Sequence, residues 1–125
     1  MSNLILETER LHIREMEVTD KANLLTIFQD PIAMRHYQST KNEAETIRWI
    51  TWTQNNYRQF SMRIWILAAK ASGRFIGQVG FVPQKVDGIV QVELGYLISR
   101  VEWGKGYASE AARACINYGH ETLDI

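Results

Sequence analysis

Apolar and polar side chains alternate from Leu4 to Met16, which is the pattern of a half-buried β-strand. Leu11 and Ile13 fall on one face of this segment, and their polar neighbours His12 and Arg14 fall on the other. A strand carries successive side chains on opposite faces, so the alternation predicts a single first strand with one face toward a core.

Two helices are predicted after this strand. The first lies between a cap at Thr19 or Asp20 and the helix-breaking pair Asp30-Pro31. The second begins near Asn42, where a glutamate three residues later can complete a capping box, and it runs to about Phe60.

Three strands in quick succession are predicted next. The nearly continuous apolar run from Arg63 to Lys70 indicates a central strand covered on both faces. The following strand runs from Arg74 to Val82 and is closed by Pro83, and the turn at Asp87-Gly88 leads into a third strand from Ile89 to Ser99. Such short connections predict an antiparallel meander.

A last helix is predicted from about Tyr107 to Leu123, with its small and apolar residues on one stripe. The element order is therefore strand, two helices, three strands and helix. This order predicts an α/β (α+β) fold with helices packed on a mixed, mostly antiparallel sheet.

Composition and charge narrow the function classes. The chain has 125 residues, 46% hydrophobic and 22% charged, so we expect one globular domain spanning residues 1–125. Fourteen basic residues balance fourteen acidic ones, and nucleic-acid binding usually needs a basic excess. Neither a secretory signal nor an apolar run of membrane-spanning length is visible. We expect a cytoplasmic protein with no nucleic-acid or membrane partner.

The segment from Ser99 to Ala111 is the most informative part of the chain. It joins the end of a predicted strand to the start of a predicted helix, and it contains Gly104 and Gly106. Glycines let the backbone turn sharply and approach a ligand, and a helix N-terminus presents unpaired N–H groups with a positive dipole end. Together they predict a pyrophosphate site, although two glycines before a helix also occur in plain tight connections.

The run Trp103-Gly104-Lys105-Gly106-Tyr107-Ala108 resembles the (Gln/Arg)-x-x-Gly-x-(Gly/Ala) acetyl-CoA motif of the GNAT superfamily of N-acetyltransferases. Trp103 departs from the first position of the general pattern. With Trp at that position, the motif resembles that of the RimJ/RimL-like branch, which acetylates N-terminal amines of ribosomal proteins. Three other segments are similar to the same branch: Thr8-Glu9-Arg10-Leu11, Phe75-Ile76-Gly77-Gln78-Val79-Gly80 and Val92-Glu93-Leu94-Gly95-Tyr96.

The resemblance implies acetyl-CoA as cosubstrate, no metal, and a primary amine as acceptor, either a protein N-terminus or a small molecule. The backbone of the loop would hold the pyrophosphate, and the strand edge before it would pair with the pantetheine amides. For the Tyr96 and Ile98 side chains we expect plain core packing. The implied cofactor-binding residues are Tyr96, Leu97, Ile98, Trp103, Gly104, Lys105, Gly106, Tyr107, Ala108 and Ser109.

An acetyl transfer to an amine needs a group that removes a proton from the ammonium. Glu93 is the candidate base, with a solvated strand-face carboxylate as the alternative reading. By the same resemblance His36 and Tyr37, between the first two helices, could touch the acceptor substrate. The single cysteine is expected to pack in the core and not to act as a nucleophile.

Two tryptophans of the second helix, Trp49 and Trp52, are expected to pack in the core against the sheet. The related enzymes continue past the last helix with further strands, so the resemblance also implies a fold truncated before its fifth strand. An uncovered apolar strand edge would then favour a homodimer. The alternative to an acetyltransferase is a non-catalytic relative that binds coenzyme A or acts as an interaction module.

Overall fold

The computed structural model describes residues 3–37, 39–57 and 63–123. Within these residues the chain forms one sheet of five strands in sequential order, and each strand runs antiparallel to its neighbour. The strands are β1 (Leu4–Glu7), β2 (Leu11–Glu15), β3 (Arg63–Ala69), β4 (Phe75–Val86) and β5 (Ile89–Ile98). The helices are α1 (Lys21–Phe28), α2 (Glu43–Asn56) and α3 (Tyr107–Tyr118), and a π-helical turn, Gly119–Leu123, continues α3.

The N-terminal segment folds as two strands, so the prediction of a single first strand is wrong. A tight turn separates them, because the Thr8 N–H bonds the Leu11 carbonyl at 2.8 Å and the Thr8 hydroxyl accepts the Leu11 N–H at 3.0 Å. The expected truncation before a fifth strand is not supported either, since the described residues already contain five strands. The predicted mixture of strand directions is absent from them, because all four pairings are antiparallel.

Alternation along β3 divides the core between the two faces of the sheet. Trp65 and Leu67 pack with Ala111 and Cys115 of α3 on one face. On the other face the isoleucines of β3 pack with α1, α2 and the segment between them. Nearly every residue of β3 is buried, which confirms the predicted central strand.

Local signals in the sequence place the helix starts well. Asn42 caps α2 by accepting the Glu45 N–H at 2.8 Å, and the Glu45 carboxylate accepts the Asn42 N–H at 3.0 Å, so the predicted capping box is confirmed. Asp20 precedes α1, but its carboxylate bonds the Glu17 N–H and the Arg14 guanidinium and does not cap α1. The predicted end of α2 at Phe60 lies outside the described residues.

Strand β4 continues past Pro83, so the prediction that this proline closes the strand is wrong. Pro83 pairs with Val92 of β5, and the β4–β5 ladder extends to the turn at Asp87-Gly88. Among residues 63–123, Phe81 is the last residue of β4 that pairs with β3, and Pro83 pairs only with β5. A proline fits within a strand where no N–H is needed for a ladder hydrogen bond.

Gly80 allows β3 and β4 to approach each other closely. A Cβ at this position would lie 1.9 Å from the Arg63 carbonyl oxygen and 2.5 Å from the Ile64 Cα. Both are backbone atoms of a central strand and cannot move aside independently. Its cross-strand partner, Gly95, has room, because a Cβ there would meet only a Val82 methyl at 3.9 Å.

We predict that Gly80→Ala lowers the free energy of unfolding by about 3 kcal/mol, because the added methyl forces the two strands apart. Gly95→Ala is the matched control and is expected to change it by less than about 0.5 kcal/mol. Urea denaturation of both variants gives the comparison. Equal losses would show that the close approach at Gly80 is not the cause.

Candidate active site

The glycine-containing loop follows β5 and a short 3₁₀ turn, Arg100–Glu102, and leads directly into α3. Gly104 and Gly106 both have φ of +81°, in the left-handed region that favours glycine. Gly106 is the N-cap of α3 and no side chain caps this helix. The N–H groups of its first turn have no carbonyl partner within the helix, so they are available to a ligand.

A buried carboxylate fixes the start of the loop. Glu102 is 5% exposed and accepts hydrogen bonds from Arg74 Nε at 2.9 Å and Lys105 Nζ at 3.0 Å. The bond from Arg74 is the main reason that the pKa of Glu102 lies below its usual range, and it outweighs the opposing effect of burial. The ammonium of Lys105 is thereby tied to a side chain of the loop itself.

A second carboxylate joins the first turn of α3 to the β1–β2 turn. Glu110 accepts hydrogen bonds from the Thr8 hydroxyl, from the Arg10 N–H at 3.0 Å and from Arg10 Nε at 2.6 Å. Burial alone would raise the pKa of Glu110, but these hydrogen bonds outweigh it and the pKa is lowered. Arg10 also donates to the Lys105 carbonyl at 3.0 Å and stacks over the Tyr107 ring. The Thr8-Glu9-Arg10 segment therefore supports the loop.

A cleft of about 430 Å³ opens in front of this loop. Its other walls are the end of β5 and the residues Ala33, Arg35 and His36 of the segment between α1 and α2. Arg35 lies over the Trp103 ring at 5.5 Å and donates to His36 Nε2 at 3.3 Å. The sequence-predicted residues that line this first cleft are Tyr96, Leu97, Ile98, Trp103, Gly104, Gly106, Tyr107, Ala108 and Ser109.

Two further predicted residues, Lys105 and Tyr37, do not line this first cleft. Lys105 belongs to the loop but does not line the cleft, because its side chain turns toward Glu102. His36 lines the first cleft, beside the loop, whereas Tyr37 lines a second one.

The second cleft, of about 600 Å³, lies between β4, β5 and the helices α1 and α2. Glu93 lines it, together with Tyr37, Trp49 and Gln78. Tyr96 and Leu97 line both clefts, so the clefts meet at this part of β5. A ligand that follows the strand out of the first cleft thus reaches the wall of the second.

The expectation of core packing fails for two aromatic side chains. Tyr96 is 52% exposed on β5, which pairs only with β4 among the described residues, whereas Ile98 on the same face is buried in the core beside α3. Trp52 is also half-exposed. Trp49 is partly buried against Phe28, as expected, and its indole N–H bonds Gln78.

The cysteine thiol, metal ligands and membrane-spanning segments are the remaining features to consider in the described residues. Cys115 is fully buried, and burial raises the pKa of its thiol to about 12, in keeping with the expected packing role. Within residues 3–37, 39–57 and 63–123 no group of three or more His, Cys, Asp or Glu side chains is arranged to hold a metal ion. No helix in that part of the chain has the length and apolarity that crossing a membrane requires.

Sequence reasoning missed Arg35 and Gln78 as cleft residues and left the roles of Thr8 and Arg10 unassigned. Thr8 and Arg10 stood in a segment that resembled the family, which was a signal that the position mattered. Nothing in the sequence linked Gln78 to Trp49, because that contact joins a strand to a helix 29 residues away.

Comparison with known proteins decides the family. A family model described as an acetyltransferase (GNAT) domain matches residues 10–125. The chain belongs to the GNAT acetyltransferase family, whose members are acyltransferase enzymes. It is 42% identical to YkkB of Bacillus subtilis over 115 residues, and this alignment covers 91% of this chain and 67% of that protein. It is 26% identical over 125 residues to the uncharacterized N-acetyltransferase YoaA of Bacillus subtilis, which covers 97% of this chain and 69% of that one.

Solved structures show the same fold. A GNAT-family acetyltransferase from Bacillus anthracis matches with a TM-score of 0.80 and 23% identity, over 100% of this chain and 69% of that one. An acetyltransferase from Agrobacterium tumefaciens matches with a TM-score of 0.80 and 26% identity, over 96% of this chain and 68% of that one. RimL, a ribosomal-protein α-N-acetyltransferase solved in complex with coenzyme A, matches with a TM-score of 0.78 and 14% identity, over 98% of this chain and 71% of that one. This GNAT chain thus spans about two thirds of the length of such relatives, and its likeness to RimL concerns the fold alone.

We predict that Glu110→Gln lowers the free energy of unfolding of this GNAT domain at pH 7 by about 1–2 kcal/mol, because it weakens the hydrogen bonds from Thr8 and Arg10. A carboxylate whose pKa is lowered by folding stabilises the fold above its unfolded pKa and loses that effect as the pH falls through its folded pKa. The difference from wild type should therefore shrink as the pH falls below about 5, where an ordinary glutamate begins to take up its proton.

Denaturant unfolding at several pH values measures this difference. Glu121→Gln, which alters an exposed carboxylate in the π-helical turn, is the control and should stay within about 0.5 kcal/mol of wild type at each pH. A Glu110→Gln deficit that stays the same at every pH down to the acid unfolding of the wild type would contradict the assigned role.

Proposed function

We propose that this chain transfers the acetyl group of acetyl-CoA to a primary amine by direct attack in a ternary complex. The observation that best supports this proposal is that two clefts meet at Tyr96 and Leu97. One is walled by the glycine loop and the uncapped start of α3, and the other contains the carboxylate of Glu93. Structurally similar proteins support acetyl-CoA, since RimL was solved with coenzyme A and the microcin C7 self-immunity acetyltransferase MccE with acetyl-CoA.

The loop suits a diphosphate for electrostatic reasons. Backbone N–H groups at the start of α3 supply hydrogen-bond donors and the positive end of a helix dipole. The basic side chains around the loop, Arg10, Arg74 and Lys105, are each paired with a carboxylate. Backbone donors, with Arg35 across the cleft, are thus the means by which this site would bind an anion.

The edge of β5 suits the pantetheine arm. Among the described residues β5 pairs only with β4, so its other edge has no strand partner, although the Ile98 carbonyl accepts the Trp103 indole N–H at 2.8 Å. Tyr96 to Ile98 lie on this strand and line the first cleft. An extended chain containing amides can bond such an edge as an added strand would. That path brings the thioester to Leu97, where the second cleft begins.

Glu93 is proposed as the base. A neutral amine in the second cleft attacks the thioester carbonyl carbon, so that a C–N bond forms and the C–S bond breaks. The amine proton passes to Glu93, directly or through water, and coenzyme A leaves as the thiolate, which is protonated on release. The proposed acceptor is a protein N-terminus, as for the RimJ/RimL-like branch, or a small-molecule amine.

A second candidate is a non-catalytic module that binds coenzyme A or a partner. It is favoured by the apolar residues exposed toward the turn end of β5, namely Ile89, Val90 and Val92. Pairing of this edge with a second copy would give the proposed homodimer. Release of free coenzyme A thiol in the presence of mixed primary amines separates the enzyme from the module, because only the enzyme produces it.

We predict that Gly106→Ala weakens acetyl-CoA binding at least tenfold, because a side chain at φ +81° strains the backbone by about 1–2 kcal/mol and reorients the N–H groups of the loop. Isothermal titration calorimetry gives the dissociation constant. Gly73→Ala is the matched control, since Gly73 also has φ of +77° in a tight turn and lines neither cleft. It should lose similar stability and keep its affinity. Unchanged affinity in Gly106→Ala would refute the loop site.

We predict that Glu93→Gln lowers kcat about hundredfold, the usual effect of removing a general base, and leaves the dissociation constant of acetyl-CoA within about twofold. Thiol release with a saturating amine mixture measures the rate. The control is Gln91→Glu, which places a carboxylate on the same strand away from the second cleft and should leave kcat unchanged. Full activity in Glu93→Gln would remove it as the base.

A further inference from the structure

Gln78 is a buried carboxamide in the wall of the second cleft. It lies in β4, it is only 6% exposed, and it stands directly opposite Leu97 of β5. A carboxamide has one acceptor oxygen and an NH₂ group with two donors, and a polar group placed so deeply needs partners. Its oxygen has one, because Oε1 accepts the indole N–H of Trp49 at 3.1 Å.

The contact with Trp49 fixes which end of the carboxamide already has a hydrogen-bond partner. An indole N–H can only donate, so it must meet the oxygen and not the nitrogen of Gln78. The Gln78 NH₂ group has no hydrogen-bond partner among the residues that the structure describes, and it is not sealed from solvent. Two donors are thus left without a partner in a side chain that lines the cleft. Trp49 is itself held edge-on against Phe28, with ring centroids 6.2 Å apart.

The rest of the cleft complements an apolar amine. Its walls are mostly aromatic and aliphatic, and among the described residues that line it the charged ones are Glu93 and Lys41. The Lys41 ammonium lies 5.8 Å from the Trp49 ring and 5.9 Å from the Phe28 ring. A cation beside the acceptor would favour the neutral, attacking form of its amine. An apolar body would replace water on the aromatic wall.

We propose that the Gln78 NH₂ group donates a hydrogen bond to a carbonyl oxygen of the acceptor, and that the acceptor is an apolar primary amine with a carbonyl group next to the amine-bearing carbon. This rests on the proposed function. The carbonyl must lie close to the amine because Gln78 stands opposite Leu97, where the thioester would arrive. The thioester carbonyl itself is a less suitable partner, because Gln78 lines the second cleft and not the first.

Two matched amines test the assignment. L-phenylalaninamide and 2-phenylethylamine share the benzyl group and the primary amine, and only the first carries a carboxamide carbonyl. The quantity measured is the ratio of their kcat/KM values from thiol release with acetyl-CoA. Comparing this ratio between variants cancels the different basicities of the two amines.

Gln78→Met and Gln78→Glu are the test variants. Both remove the NH₂ donors, but Gln78→Glu keeps an oxygen for the Trp49 indole, so it separates the donor from the packing of the tryptophan. Each is expected to lower the ratio about tenfold, which corresponds to one lost hydrogen bond. Gln91→Met, the same change at an exposed glutamine outside the cleft, should leave the ratio unchanged.

Four outcomes would overturn the proposal. An unchanged ratio in both variants removes the contact. Equal loss for both amines assigns Gln78 to the thioester carbonyl. A loss in Gln78→Met alone assigns the effect to Trp49 packing. Turnover of neither amine by the wild type excludes this acceptor class, and calorimetry with acetyl-CoA then shows separately whether the cofactor site of the proposed function stands.

Discussion

The hydrogen bonds that Glu110 accepts from Thr8 and Arg10 connect the two ends of the described structure. Glu110 lies in the first turn of α3, and its partners lie in the turn between β1 and β2. Arg10 also bonds the Lys105 carbonyl and stacks over Tyr107, so one guanidinium contacts both the loop and the helix. The left-handed glycines give the loop its sharp turns, and this network sets the direction in which its N–H groups point.

The same arrangement suits the proposed binding of an anion by a chain without net charge. The basic residues nearest the loop are neutralised by Glu102 and Glu110, so their role is to hold the backbone in place. The donors left for a ligand are main-chain N–H groups, which contribute nothing to the count of charged residues, together with the guanidinium of Arg35 across the cleft. The balanced composition therefore permits a phosphate site although it argued against nucleic acid.

Features that depend on a few neighbouring residues could be predicted from the sequence, whereas contacts between distant segments could not. The capping box of Asn42 and the strand-to-helix position of the glycine loop needed only local pattern and were confirmed. The exposure of Tyr96 depends on the neighbours that β5 has in the folded sheet, and the pairing of Pro83 with Val92 depends on the register of β4 and β5. The turn at Thr8 was hidden because alternation continues through it. The orientation of Gln78 required the fold itself, since its partner lies on α2.

The central claim is that backbone N–H groups at the glycine loop and the start of α3 bind the diphosphate of acetyl-CoA. A titration of ¹⁵N-labelled protein with acetyl-CoA, followed by amide chemical shifts, tests it most directly. The account predicts that the largest shifts fall on Gly104, Gly106, Tyr107, Ala108 and Ser109. Saturable binding that leaves these amides in place and shifts residues elsewhere, such as those of β1 or the β4–β5 turn, would contradict it.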